Sequence, residues 1–142
     1  MIALQKSFYE ELRQTFNDHS VFQVRLRGRN EIRLKSEDDE IYLNREMEKA
    51  ICRGWCARHT EHRESFINGT AIAVEQCEYR TQNGGWTCSF ILRIIEPFHG
   101  RLLYKALEYA GESLGIGEET PYYNYGRFDI QSMEPIDGNG DS

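Results

Sequence analysis

No apolar run in this 142-residue chain approaches the ~20 residues that a membrane-spanning helix needs, so no such helix is expected. Residues 1–16 mix charged with apolar side chains and hold no continuous apolar segment, which argues against a secretory signal. Without a signal, the four cysteines at 52, 56, 77 and 88 are expected as reduced thiols in a cytoplasmic protein. In that compartment Asn68-Gly69-Thr70 is a turn rather than a glycosylation sequon. Familiar catalytic motifs are missing as well: there is no Gly-x-Ser-x-Gly elbow, no phosphate-binding glycine loop and no His-Glu-x-x-His. Gly115-Ile116-Gly117 lacks the preceding strand and following helix of a nucleotide loop. Neither repeats nor low-complexity blocks occur, and no Pro- or Ser-rich linker divides the chain.

What is present suits one soluble domain. A hydrophobic fraction of 39% with 28% charge is ordinary for a globular protein, and the 17 aromatics can furnish a core. A single α+β domain over residues 1–134 is expected, followed by a flexible acidic tail over 135–142. Leu4, Phe8, Leu12 and Phe16 recur every four residues, which predicts an amphipathic helix over 4–17. The carboxylate run 37–40 reads as a helix start, with Leu43, Met47, Ile51 and Trp55 continuing at helical spacing to about residue 62. Ile41, Tyr42 and Leu43 could instead form a brief strand that delays this helix. Strands over 70–81 and 86–96 flank Asn83-Gly84, the signature of a type I′ hairpin. In that register Tyr79 faces Cys88 and Cys77 faces Phe90, while Glu78, Arg80 and Ser89 point away. A third helix over 99–114 and a last strand over about 122–133 complete an α-β-β-α-β-β-α-β order. Hairpins joined by helices predict a mainly antiparallel sheet with helices packed on one face.

Charge is segregated along the chain. Residues 1–35 carry 7 Lys+Arg against 4 Asp+Glu, a net of +3, and residues 36–142 carry 10 against 19, a net of −9. Between 24 and 35 apolar and basic residues alternate: Val24, Leu26, Ile32 and Leu34 share one face, and Arg25, Arg27, Arg33 and Lys35 the other. With Gly28-Arg29-Asn30 as a hairpin loop, Arg25 would stand opposite Arg33, Arg27 opposite Glu31 and Gln23 opposite Lys35. Like charges directly opposite one another destabilise a sheet unless an anion relieves them. The nearby run 37–40 is one source of that anion, and an external partner is the other.

Three further constellations bear on chemistry. Cys52, Cys56, His59 and His62 are zinc-type donors, but one straight helix wraps four ligands around an ion poorly, and Cys77 or Cys88 would have to contribute. Small buried thiols and histidines near a helix end are the structural alternative, and it is preferred. His99 is a candidate general base with no patterned companion. Tyr122, Tyr123 and Tyr125 suit a protein interface better than base stacking, because residues 117–142 hold one Arg against six acids.

Together these features predict a small protein-binding module of the inhibitor, immunity, adaptor or chaperone kind. Arg25, Arg27, Arg33 and Lys35 would form one contact surface, and Tyr122, Tyr123 and Tyr125 a second. The partner is another protein, no cofactor is implied, and an edge strand at 122–133 could pair with a second copy. A nucleic-acid protein using the basic hairpin is the first alternative, and a small enzyme or zinc protein is the second.

Overall fold

The computed structural model describes residues 20–58, 64, 66, 68–95, 100–119 and 124–136. Its elements run β1 (Val21–Gly28), α1 (Glu40–Arg58), β2 (Ile72–Gln82), β3 (Gly85–Ile94), α2 (Gly100–Tyr109), a π-helical turn (Ala110–Leu114) and β4 (Phe128–Pro135). The four strands form one antiparallel sheet in the order β2-β3-β1-β4. Hence β1 and β2, joined through α1, enclose β3, while β3 and β4, joined through α2, enclose β1. This interleaved split β-α-β arrangement is an α+β fold with both helices on one face of the sheet. The predicted helix over 4–17 lies outside the described residues.

Alternation sorts β1 cleanly. Phe22, Val24 and Leu26 are fully buried, whereas Arg25 and Arg27 are exposed on the other face. Opposite that inner face, α1 contributes Leu43, Met47, Ile51 and Trp55, and α2 contributes Leu103 and Leu107. Asp39 caps α1 by accepting the Tyr42 N–H at 3.2 Å, so the helix begins at Glu40, the last residue of the carboxylate run. The brief strand considered at 41–43 is absent, because those residues occupy the first turn of α1. Gly54 of α1 lies against the Ala106 carbonyl of α2, and Gly111 lies against the backbone of Phe128 in β4. Gly111 thus lets the π-helical turn lie close to the sheet, while Ala106 and Ala110 serve the helix–helix crossing.

The β2–β3 hairpin forms through Asn83 and Gly84, whose φ values of 52° and 80° fit the type I′ turn, with Gln82 opposite Gly85. Tyr79 pairs with Cys88 as expected. The pairing of Cys77 with Phe90 is corrected by a β-bulge: between Glu75 and Glu78, two residues, Gln76 and Cys77, stand where β3 has Phe90 alone. Gln76 takes a left-handed φ of 54° there. The bulge turns Cys77 inward, and its Sγ lies 3.3 Å from that of Cys88 in the core.

A larger correction concerns the basic ribbon. Residues 29–35 are not a strand and do not return along β1, because both ladders of β1 are already taken. Val24 pairs with Phe90 on one side and Met133 on the other. The chain instead continues beyond Gly28 as an extended segment bonded to distant loops. Arg29 N–H donates to Arg127 O at 2.8 Å, Gly126 N–H to Glu31 O at 2.7 Å, and Glu118 N–H to Arg33 O at 2.7 Å. Alternation survives without the hairpin, since Ile32 and Leu34 pack against the core while Glu31, Arg33 and Lys35 are exposed.

The two outer strands are treated differently. Along β2, side chains of α1 satisfy edge amides: Glu48 Oε1 accepts the Val74 N–H and Asn44 Oδ1 the Cys77 N–H, each at 3.0 Å. The other edge is β4, which begins at Phe128, so residues 124–127 of the predicted last strand are loop and 122–123 lie outside the described residues. Pro135 still pairs with Phe22, and Ile136 N–H donates to Val21 O at 2.9 Å. Residues 137–142 lie outside the described residues.

Candidate functional site

The face of the sheet opposite the helices carries polar and charged residues in rows across the strands. One row sets Arg80, Thr87, Arg27 and Asp129 side by side, and the next sets Glu78, Ser89, Arg25 and Ser132. A third contains Glu75, Ile91, Gln23 and Glu134. Most cations around this face already have a carboxylate. Arg80 binds Glu78 with Nη2 2.5 Å from Oε1, and Arg93 binds Glu75 with Nε 3.2 Å from Oε1. Arg29 grips Asp129 through Nε at 2.7 Å and through Nη2. The Arg29 hydrogen bond, opposed by slight burial and aided by the charges of Arg29 and Arg27, holds the Asp129 carboxyl below its ordinary range.

Arg25 differs from its neighbours. Its cross-strand partners are Ser89 and Ser132, and among the described residues no carboxylate pairs with it. Arg27 stands beside Thr87 and Asp129, but Asp129 is already committed to Arg29. The centre of the sheet therefore presents two exposed guanidinium groups among three hydroxyls. Such a set can bind a carboxylate or phosphate through forked N–H donors with hydroxyl donors beside them.

The expected opposition of Arg25 and Arg33 does not exist. Arg33 stacks over the Tyr125 ring with its guanidinium carbon 4.6 Å from the centroid, and its Nη2 donates to Tyr125 Oη at 3.1 Å. Glu31 lies 3.6 Å away. One residue from each expected contact surface thus meets in a single cluster. Lys35 sits on the same extended segment, where its backbone N–H donates to Tyr42 Oη at 3.0 Å and Tyr42 Oη in turn donates to Glu118 Oε2 at 2.9 Å. Tyr122 and Tyr123 lie outside the described residues, as does His99.

Among the described residues no group of three or more His, Cys, Asp and Glu could hold a metal ion. Cys52 and Cys56 are half-buried neighbours on α1, and His59 and His62 lie outside the described residues. Burial, followed by the adjacent Cys56, pushes the Cys52 thiol up to about 11, so the thiol is neutral at physiological pH. Cys77 and Cys88 point into the core, where their mutual hydrogen bond and burial keep the Cys77 thiol protonated.

Sequence reasoning placed Arg25, Arg27 and Ser89 on an outward face correctly but missed Ser132 as a neighbour of Arg25. That proximity depends on a non-local pairing and on an irregularity between Arg25 and Leu26, neither of which has a local signal. No helix among the described residues is long and apolar enough to cross a membrane. No known protein family, curated protein or solved structure matches this chain.

Proposed function

We propose that this chain is a small protein-binding module that receives an acidic segment of a partner protein on the solvent face of its sheet, centred on Arg25 and Arg27. The observation that carries the reading is the contrast on that face: Arg80, Arg93 and Arg29 are each bridged to a carboxylate, whereas Arg25 has Ser89 and Ser132 on either side. A bound carboxylate would complete the pattern. The absence of aromatic side chains from the three rows favours a protein over a single-stranded nucleic acid, which a sheet surface binds by stacking bases on aromatics. The Arg33–Tyr125 cluster is a second, separate contact on the extended segment.

Affinity co-purification from nuclease-treated lysate tests the reading. The wild type is expected to retain a partner that the Arg25→Glu/Arg27→Glu variant loses at least tenfold, while Arg33→Glu has a smaller effect. Retention of every partner by the double variant rejects the sheet face as the contact. Loss of all partners on nuclease treatment of the wild type rejects a protein partner.

A further inference from the structure

One flank of α1 and the segment leading into β2 enclose a cleft of about 340 Å³, separate from the sheet face. Its α1 wall is formed by residues 45, 48, 49, 52 and 53, a single stripe at helical spacing, and Phe66, Gly69 and Ile72 are the other lining residues among those described. Three of these are cations, Arg45, Lys49 and Arg53, four residues apart on one helix. Like charges at that spacing destabilise a helix, so their alignment favours an anion.

The local carboxylates supply it for Lys49 alone. Glu48 is committed to the Val74 N–H at 3.0 Å, and Glu46 to Lys49 at 3.0 Å. Among the described residues the side chains of Arg45 and Arg53 make no hydrogen bond or ion pair, while their backbones belong to the helix. Among the described residues the cleft thus carries +3 from the cations, −1 from Glu48 and −1 from the Glu46 paired with Lys49, a net of +1 that rests on Arg45 and Arg53, in a chain whose overall charge is −6. Its floor is apolar and firmly held: Phe66 and Ile72 are each 5% exposed, and Phe66 stacks on Trp55 with centroids 4.6 Å apart. A cationic rim over an apolar floor complements a ligand with the opposite two halves.

We infer that this cleft binds a small amphipathic organic anion: a carboxylate whose head pairs with Arg45 and Arg53 and whose apolar chain or ring lies on Phe66, Ile72 and Cys52. The volume is at the small end of ordinary ligand sites, and suits a molecule of roughly ten non-hydrogen atoms. The site is independent of the proposed partner surface, since none of its residues lies on β1 or its cross-strand rows.

Titration of the ¹⁵N-labelled full chain with octanoate tests the inference by amide shift mapping, with 1-octanol and acetate as probes of each half alone. Octanoate is expected to shift the amides of Cys52, Gly69 and Ile72 saturably, with Kd below about 1 mM. Octanol and acetate are each expected to bind at least tenfold more weakly. Arg45→Gln/Arg53→Gln should weaken octanoate tenfold or more while leaving the circular dichroism spectrum and thermal midpoint near wild type. Equal binding of octanol, saturable shifts mapping elsewhere, no saturable shifts, or full affinity in the double variant each overturns the proposal.

Discussion

Gly28→Ala probes the junction where β1 gives way to the extended segment. Gly28 lies at the inner face of the sheet, and a Cβ there would overlap the indole of Trp86, including Cδ1 at 2.6 Å. Carbon atoms in contact prefer about 3.5–4.0 Å, so the ring would have to move by about 1 Å or more. Trp86 is 6% exposed and its Nε1–H donates to Asn30 O at 2.8 Å, so the shift forfeits both packing and a hydrogen bond. Complete loss of a buried aromatic costs about 3–5 kcal/mol and a net hydrogen bond about 1 kcal/mol. Glycine-to-alanine replacement recovers about 0.4–1 kcal/mol by restricting the unfolded chain. A partial displacement therefore predicts a net destabilisation of about 2–4 kcal/mol, measured by urea unfolding followed by circular dichroism. Combining Gly28→Ala with Trp86→Leu removes the obstructing ring, so the two effects should fall short of additivity by at least about 1 kcal/mol. A Gly28→Ala protein within about 0.5 kcal/mol of wild type, or strict additivity in the cycle, would refute the steric account.

Two further perturbations test the supports around the extended segment and the β2 edge. Tyr42→Phe removes the hydroxyl linking Lys35 to Glu118 and should cost about 1 kcal/mol at neutral pH. Burial, with the nearby Glu118, pushes the Tyr42 hydroxyl from its ordinary 10 up to about 12, so the folded protein holds this proton more tightly than the unfolded chain. The associated stability is present below pH 10 and is lost as pH rises through about 12, so the wild-type advantage over Tyr42→Phe should shrink across that interval in urea midpoints. An advantage that stays constant would reject the linkage. Asn44→Ala leaves the Cys77 N–H without its acceptor, and should cost about 1 kcal/mol and accelerate hydrogen exchange at that amide. Unchanged protection at Cys77 would show that the helix does not seal this edge.

Local signals carried the helices and the β2–β3 hairpin. Leu43, Met47, Ile51 and Trp55 repeat on one face of α1, and Asn83-Gly84 has the chemistry its turn demands. The partner of β1 was not legible, because alternation reports that a chain is extended and which side is apolar, not what lies beside it. Residues 24–35 alternate whether they fold back on one another or, as here, continue from a central strand into a loop held by Arg127, Gly126 and Glu118. Gly28 misled for a related reason: glycine marks turns, but here it admits the Trp86 ring. At the candidate site, the outward placement of Arg25 followed from period two. Its isolation from carboxylates followed only from the sheet order.

The bulge in β2 changes the parity of the strand. Before it the even-numbered residues Ile72 and Val74 face the core, and after it the odd-numbered Cys77 and Tyr79 do. Gln76, exposed and in the left-handed region, is the surplus residue between the two phases. A sheet counts side chains by face rather than by position in the chain, so a one-residue change elsewhere in β2 would invert every side chain up to the next irregularity. At residue 76 the same change would leave both halves with their inward sets intact. The strand thus keeps its slack in length at one place, beside the core thiols and between the rows of Glu75 and Glu78.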